Sequence, residues 1–230
     1  MHQQIRLIGG RRCAIVANGE GGPCIYWGAG SGEGVEKAAE LLRQKTGEKP
    51  WRLIAFEAQD WNAEFSPWSA PAVFGKADFA GEASKTLEWL TEACIPAVEE
   101  TPRAFRAVAG YSLAGLFSLW AFYESGLFQG AASCSGSLWF PGWLDYVQKK
   151  KAPCGSAVYL SLGEREERTR NRAMAAVGDA TRRMDALLEE DAAIRSHTLC
   201  WHPGGHFNDV EERLAAAMSW LVAEAARENG

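Results

Sequence analysis

At 230 residues, with 47% hydrophobic and 23% charged residues, the chain has the size and composition of one globular domain covering residues 1–230. A formal net charge of −5 argues against nucleic acid or an anionic membrane surface as a partner. No signal-peptide pattern opens the sequence, and no apolar run approaches the roughly 18 residues of a membrane span. The six cysteines form no CxxC pair and favour reduced, buried thiols. A cytoplasmic protein is therefore expected, with a disulfide framework as the less favoured alternative.

In chain order, short alternating runs predict an N-terminal hairpin, and apolar periodicity then predicts strands alternating with helices. The predicted strands are "QIRLIGG", "RCAIVAN", "GGPCIYWG", "WRLIAFEA", "FRAVAGY", "FQGAASCSGS", "SAVYLSLG" and "RSHTLCW". The predicted helices are "VEKAAELLRQKTG", "EASKTLEWLTEACIPAVEE", "SLAGLFSLWAFYESG", "PGWLDYVQKK", "NRAMAAVGDATRRMDALLEED" and "FNDVEERLAAAMSWLVAEAARE". Pro96 is expected to kink or break the second helix. The alternation predicts an α/β fold with a mostly parallel sheet covered by helices on both faces.

Residues 59–81 form a long, aromatic, proline-bearing stretch between a strand and a helix. Long stretches without regular structure are uncommon in compact domains, so this one predicts a functional loop. The sequence contains no large inserted lid domain, which leaves this loop as the segment that could cover a binding site. The sequence does not indicate whether it moves as a lid.

Ser112 lies between a predicted strand and a predicted helix, at the edge where parallel sheets bind their ligands. A serine on a sharp strand-to-helix turn needs small residues two positions away on either side, and Gly110 and Ala114 are small. Such a turn would raise the hydroxyl above the sheet and direct the N–H of Leu113 towards a bound carbonyl oxygen. Helix capping by Ser112 is the alternative, which the pentapeptide alone does not separate from a nucleophile.

Two later strand ends carry the groups that would activate a serine nucleophile, an acid followed by a histidine. The loop "GEREERTRN" holds Glu164, Glu166 and Glu167, and the loop "HPGGHFND" holds His202 and His206. The chain has only four histidines, so two in one loop is notable. Exposed glutamates and solvated loop histidines are ordinary alternatives. Chain order, spacing and strand-end placement together favour a catalytic triad.

The loop after the third predicted strand would supply a second donor to an oxyanion hole. It reads Trp27-Gly28-Ala29-Gly30, whose glycines allow backbone N–H groups to turn towards a ligand, and Ala29 is the favoured donor. The glycine-rich stretch "GAGSGEG" could also be a nucleotide-binding loop. Its glycine spacing does not fit that motif and a Walker-type lysine is missing, so this interpretation is the weaker one.

Six motifs resemble, in this order, the esterase branch of the α/β-hydrolases that is related to esterase D and the enterochelin esterases. They are "YWGAG", "AFEAQDWN", "GYSLAGLF", "SCSGSLWFPGW", "YLSLGEREERTRN" and "PGGHF". The resemblance covers roughly residues 23–222 and implies an α/β-hydrolase fold. It also implies Ser112 as nucleophile, Glu166 as acid and His206 as general base. Ala114 and the glutamate depart from the commoner glycine and aspartate, but the roles in a triad depend on geometry.

Ten tryptophans are several-fold more than a chain of this length usually carries. Five of them fall at or just after predicted strand ends, where they are expected to face the cleft: Trp27, Trp61, Trp68, Trp139 and Trp143. The favoured pocket residues are Trp27, Trp61 and Trp139. Aromatic walls favour an apolar or aromatic acyl or alcohol group. The sequence thus predicts a serine esterase that hydrolyses a small to medium ester through an acyl-enzyme, without a metal or another cofactor.

Two other functions stay open at this point. One is hydrolysis of a siderophore-type lactone or a thioester, since the related family includes iron-chelator esterases. The other is a non-catalytic ligand-binding protein on a hydrolase scaffold, because a fold does not guarantee a function. The presence of Ser112, His206 and a candidate acid argues against the second. The sequence indicates no particular oligomeric state.

Overall fold

The structure, a computed structural model, describes residues 3–30, 34–73, 75–101 and 104–228. Its strands are β1 (Gln3–Ile8), β2 (Arg11–Asn18), β3 (Cys24–Ala29), β4 (Trp51–Glu57), β5 (Ser69–Ala70), β6 (Phe79–Ala80), β7 (Arg106–Tyr111), β8 (Gly130–Cys134), β9 (Ser156–Gly163) and β10 (Ile194–His202). Its α-helices are α1 (Val35–Thr46), α2 (Trp61–Glu64), α3 (Ala83–Trp89), α4 (Ile95–Val98), α5 (Leu113–Ser125), α6 (Trp143–Val147), α7 (Arg172–Ala175), α8 (Val177–Glu190) and α9 (Val210–Glu228).

Eight of the described strands form one sheet, in the order β1-β2-β4-β3-β7-β8-β9-β10. β2 pairs antiparallel with both β1 and β4. All the other neighbours in this sheet are parallel. The predicted hairpin and the mostly parallel sheet are therefore confirmed. Because β3, β7, β9 and β10 are parallel, their carboxyl ends meet at one edge of the sheet.

Alternate side chains of β3 enter hydrophobic cores on opposite faces of the sheet. Tyr26 is buried with residues of α3, α5, α6 and α8, whereas Ile25 and Trp27 are buried with residues of α1 and α9. The buried residues of α1 follow the period of a helix: Val35, Ala38, Ala39, Leu42 and Thr46. Helices thus cover both faces of the sheet, as predicted.

Two predicted helices are interrupted in the structure. The helix predicted over 82–100 contains a π-helical turn (Leu90–Cys94) directly before the short helix that carries Pro96. Proline lacks an N–H and its ring clashes with the carbonyl four residues earlier, which explains the break. The single long helix predicted over 171–191 is wrong, because the chain divides at Ala176 into α7 and α8. Only α8 contributes buried side chains, so the apolar period belongs to α8 alone.

The stretch predicted as a loop, residues 59–81, contains α2 and the antiparallel pair β5–β6. Asp60 caps α2 by accepting a hydrogen bond from the N–H of Ala63 at 3.0 Å. The indole N–H of Trp68 donates to the carbonyl of Pro141 at 2.8 Å, and Phe79 is buried in the main core. These contacts fix the described part of the stretch to the rest of the molecule.

All six cysteines lie in the described part of the chain, and all are free thiols. Across the described ranges, no helix combines the length and the apolar character needed to cross a membrane. Within those same ranges, no group of three or more His, Cys, Asp or Glu side chains is arranged to hold a metal ion.

Candidate active site

Ser112 forms the sharp turn between β7 and α5, with φ 58° and ψ −123°. This backbone conformation is rare for a residue with a side chain and marks a strained position. The N–H of Ser112 donates to the carbonyl of Cys134 at 3.0 Å, and its own carbonyl accepts from the N–H of Ser137 at 3.0 Å. Although Ser112 occupies the N-cap position of α5, its hydroxyl caps no N–H of that helix. The hydroxyl is therefore left for the cavity beside it.

Small residues around Ser112 make the turn possible. A Cβ atom on Gly110 would lie 2.1 Å from the carbonyl oxygen of Ala114, so no other residue fits at position 110. Ala114 itself is fully buried, which shows that a methyl group is accepted where the common motif has glycine. A Cβ on Gly115 would lie 3.0 Å from the Oγ of Ser133, so this glycine lets α5 approach β8 closely.

Glu166 and His206 are joined by a hydrogen bond between Glu166 Oε2 and His206 Nδ1 of 2.7 Å. Glu166 begins a short 3-10 turn after β9, and His206 lies in the loop between β10 and α9. The other carboxylate oxygen, Oε1, accepts from Ser135 Oγ at 2.6 Å, from the N–H of Gly163 at 2.7 Å and from Arg213 Nη1 at 3.1 Å. Both oxygens of the carboxylate are therefore used.

Burial raises the pKa of Glu166, but hydrogen bonds from His206, Ser135 and Gly163 outweigh burial, and the net pKa is lowered. Because the folded-state pKa is lowered, ionised Glu166 contributes stability above the ordinary pKa of a glutamate. That contribution is lost as the pH falls through the lowered pKa of the folded state. Glu166 is therefore a carboxylate throughout the neutral range, as an acid that orients a histidine must be.

The neighbouring candidates from the sequence lie elsewhere. Glu164 is exposed, and Glu167 pairs with Arg182 at 3.0 Å on the surface. His202 is half-buried at the end of β10, where burial and then the charge of Arg213 lower its pKa. None of these three residues lines the described cavity, whereas Glu166 and His206 both do.

One cavity, of about 820 Å³, brings together the residues predicted for the site. Its described lining includes Ser112, Glu166 and His206, the glycine-rich segment at 28–30 with Ala29, and the predicted pocket tryptophans Trp27, Trp61 and Trp139. Trp27 is only 5% exposed, because most of its ring packs in the core. Residues 31–33 of the glycine-rich loop, including Gly32, lie outside the described residues.

Two of the five tryptophans expected at the cleft are not among its described lining, so the expectation is wrong for Trp68 and Trp143. Trp143 is buried and stacks on Tyr146, with 5.6 Å between the ring centroids. Trp68 packs against Phe140 and the same Tyr146. Both lie several residues beyond a strand end, in segments that pack back against each other instead of facing the cavity.

The two predicted oxyanion donors, Leu113 and Ala29, occupy different positions relative to the cavity. Leu113 is the first residue of α5, so its N–H is one of those that a helix start leaves without an intrahelical acceptor. Its side chain is buried in the core. Ala29 lies at the end of β3 and lines the cavity, and its carbonyl accepts from the N–H of Ala58 at 3.2 Å.

Arg213, which the sequence analysis missed, connects the loop of the acid with the loop of the histidine. Its side chain is 1% exposed, and its Nη1 donates to Glu166 Oε1 at 3.1 Å and to the hydroxyls of Ser135 and Tyr111 at 3.0 Å each. Its Nη2 donates to the carbonyls of Pro203 and Gly205 at 3.2 Å each. The sequence did contain a signal for its burial, because Arg213 falls on the apolar face of α9. That face consists of Val210, Leu214, Ala217, Met218 and Leu221.

We expect Arg213→Met to lower the free energy of unfolding by about 3 kcal/mol or more, since it leaves the buried carboxylate of Glu166 without its cation. Urea unfolding at neutral pH measures this loss. Lys37→Met is the matched control, because Lys37 and Glu211 lie at the same 3.1 Å but are 67% and 28% exposed. That variant should lose less than about 1 kcal/mol. Equal losses in the two variants would contradict the role of Arg213 as the buried partner of the acid.

Comparison with known proteins gives one family and a set of similar folds. A family model described as "Putative esterase" matches residues 12–218. The chain is similar to the siderophore hydrolase EstA from Aspergillus nidulans, with 17% identity, 94% of this chain and 90% of that chain covered, and a TM-score of 0.76. The chain is also similar to an IroE-like serine hydrolase from Shewanella oneidensis, with 15% identity, 96% of this chain and 80% of that chain covered, and a TM-score of 0.81.

A third similar structure is the enterobactin esterase FES from Shigella flexneri, with 19% identity, 100% of this chain and 60% of that chain covered, and a TM-score of 0.66. No protein with a curated description matches the sequence. At these identities the solved structures show a shared fold. Together with the strand order, they confirm the predicted α/β-hydrolase fold.

Proposed function

Because the chain belongs to the esterase family, we propose that it hydrolyses a small to medium carboxylic ester through an acyl-enzyme formed on Ser112. The observation that carries the proposal is the 2.7 Å hydrogen bond between Glu166 and His206 in the cavity that Ser112 also lines. Nucleophilic acyl transfer needs a serine, a histidine and an ionised acid in one cavity. The cavity holds His206, the ionised Glu166 and the strained Ser112, whose hydroxyl caps no N–H of the helix.

In the first step, His206 donates its Nδ1–H to Glu166, which leaves Nε2 to accept the proton of Ser112. The Oγ of Ser112 forms a bond to the carbonyl carbon of the ester, and the carbonyl electron pair moves onto its oxygen. The N–H groups of Leu113 and Ala29 are assigned to stabilise this oxyanion. When the intermediate collapses, the bond to the alcohol oxygen breaks and His206 returns the proton to the leaving alcohol.

In the second step, water replaces the alcohol. His206 accepts one proton of the water while the water oxygen bonds to the acyl carbon. Collapse of this second intermediate breaks the bond to Ser112 Oγ, which regains its proton from His206, and a carboxylic acid leaves. Glu166 holds the imidazole in the required tautomer and stabilises the imidazolium that forms in both steps.

The cavity supports a substrate with an apolar or aromatic part. Its volume of about 820 Å³ is in the range of pockets for small molecules. Trp61 packs edge-to-face on Phe65, with 4.9 Å between the centroids, and Trp139 packs on Phe79 and Phe140. Held in this way, the two indoles lose little freedom when they contact a ligand. A siderophore-type lactone is the second candidate substrate, since two of the similar structures are named a siderophore hydrolase and an enterobactin esterase.

A fluorophosphonate probe tests whether Ser112 is an activated nucleophile without any knowledge of the substrate. We expect one probe molecule to bind per chain, and mass spectrometry of the digested protein should place it on Ser112. Ser125→Ala, which removes a hydroxyl at the other end of α5, should be labelled like the native protein. Absence of labelling in the folded protein, or labelling at a different serine, would contradict the proposal and favour a non-catalytic binding protein.

A further inference from the structure

Four arginines lie together in the segment 165–172, directly around and after Glu166: Arg165, Arg168, Arg170 and Arg172. Every other arginine that the structure describes donates a side-chain hydrogen bond or forms an ion pair. Within the described residues, the side chains of these four do neither. The unpaired guanidinium groups are thus concentrated at one place in a protein whose net charge is −5.

Two of the four, Arg165 and Arg168, line the cavity of the proposed active site, and the other two do not. Their backbones are fixed relative to that site. The N–H of Arg165 donates to the carbonyl of Gly204 at 3.0 Å, and the N–H of Arg168 donates to the carbonyl of Arg165 at 3.1 Å. Both side chains start from the turn that holds Glu166, and both residues are exposed to solvent.

The rest of the described lining leaves these charges unmatched. Glu166 is the only carboxylate in that lining, and both of its oxygens already accept hydrogen bonds. The remaining lining residues are mainly aromatic, aliphatic, glycine or serine. An anionic group that enters the cavity would therefore meet free guanidinium donors beside apolar walls, where charge-assisted, bidentate hydrogen bonds to a carboxylate are strong.

We propose that the substrate carries a carboxylate that Arg165 and Arg168 bind at the mouth of the cavity, next to the ester that Ser112 attacks. This inference rests on the proposed ester hydrolysis and narrows its substrate class. The carboxylate can belong to the acyl part or to the alcohol part of the ester. Two pairs of probes distinguish these sources.

In the first pair, mono-p-nitrophenyl glutarate carries the charge in its acyl part and p-nitrophenyl pentanoate is neutral. In the second pair, para-acetoxybenzoate carries the charge in its alcohol part and para-acetoxybenzamide is neutral. We expect kcat/KM to favour the anionic member in one of the two pairs, mainly through a lower KM. In the double variant Arg165→Gln and Arg168→Gln, the anionic-to-neutral ratio of kcat/KM should fall about tenfold.

The double variant Arg170→Gln and Arg172→Gln is the matched control. It removes the same charge from the same segment without touching the described cavity, so the ratio should stay within about twofold. A preference for the neutral member in both pairs would overturn the proposal. So would an equal fall of the ratio in the two double variants, which would mean that the arginines act only through the general field of a solvated surface.

Binding to the Ser112→Ala variant separates this inference from the proposed reaction, since no turnover is needed. Quenching of tryptophan fluorescence measures the binding, because Trp61 and Trp139 line the cavity. Para-acetoxybenzoate or mono-p-nitrophenyl glutarate should bind about tenfold more tightly than its neutral partner, and the loss of Arg165 and Arg168 should abolish the difference. Equal binding in both pairs would overturn the anion site even if esterase activity were found. If Ser112→Ala binds the anionic probes more tightly but the fluorophosphonate probe does not label Ser112 in the native protein, the result counts against the proposed reaction alone.

Discussion

Ser112→Ala is expected to remove nearly all hydrolysis of p-nitrophenyl acetate or butyrate, a fall in kcat of about 10³-fold or more. The variant lacks the oxygen on which the acyl-enzyme is proposed to form. The protein should still fold, since alanine keeps the Cβ that already exists at φ 58° and the hydroxyl caps no helix. The backbone hydrogen bonds of residue 112 are also kept.

Initial rates give the activity, and thermal unfolding followed by circular dichroism gives the stability. Ser125→Ala, in the last turn of α5, should keep the native rate. This control shows that the loss of activity requires removal of the Ser112 hydroxyl in particular. If Ser112→Ala keeps most of its activity while it remains folded, the nucleophile has been assigned to the wrong residue.

Glu166→Gln is expected to lower kcat by at least about 10²-fold and up to about 10⁴-fold, with little change in KM. Three donors face Oε1 of this residue, from Ser135, Gly163 and Arg213, and His206 is the only described partner of Oε2. The single oxygen of a glutamine should therefore turn towards the three donors and place its NH₂ against His206. Nδ1 must then accept a hydrogen bond, so the ring proton moves to Nε2 and the imidazole loses its basic nitrogen on the side of Ser112.

Glu164→Gln and Glu167→Gln are the controls, because they make the same chemical change on either side of the same turn. Both residues lie outside the described lining of the cavity, so their rates should stay within about threefold of native. The steady-state rates of the three variants decide the assignment. If Glu164→Gln or Glu167→Gln loses activity while Glu166→Gln keeps it, the acid must be reassigned to that residue, and the proposed roles of Ser112 and His206 are kept.

Much of the fold and the site could be predicted because the information is local in the sequence. The strands and helices follow from apolar periodicity, and parallel strands bring their carboxyl ends to one edge. Ser112, Glu166 and His206 each follow such a strand, so strand-end placement was enough to predict that they share one cavity. The choice of Glu166 over its two neighbours came from a family resemblance, since one residue along a turn changes the direction of a side chain completely.

What the sequence could not predict depends on contacts between distant segments. Arg213 was missed because a charged residue in a helix is normally assigned to the solvent side, and its burial needs five acceptors from four other parts of the chain. Trp68 and Trp143 were placed at the cleft by their position after strands. Position along the chain does not determine which way an indole turns when another aromatic ring lies beside it.

The location of Arg213 also bears on when the site is completed during synthesis of the protein. Its guanidinium belongs to α9, the last helix of the described chain, yet it fixes loops that follow β9 and β10. A nascent chain that has left the ribosome only as far as residue 209 already carries Ser112, Glu166 and His206. In such a chain the carboxylate of Glu166 lacks the guanidinium of Arg213, and the loop that carries His206 lacks the two hydrogen bonds that Arg213 donates to its carbonyls. The proposed active site is thus complete only once α9 has docked, later than the sheet on which the site is built.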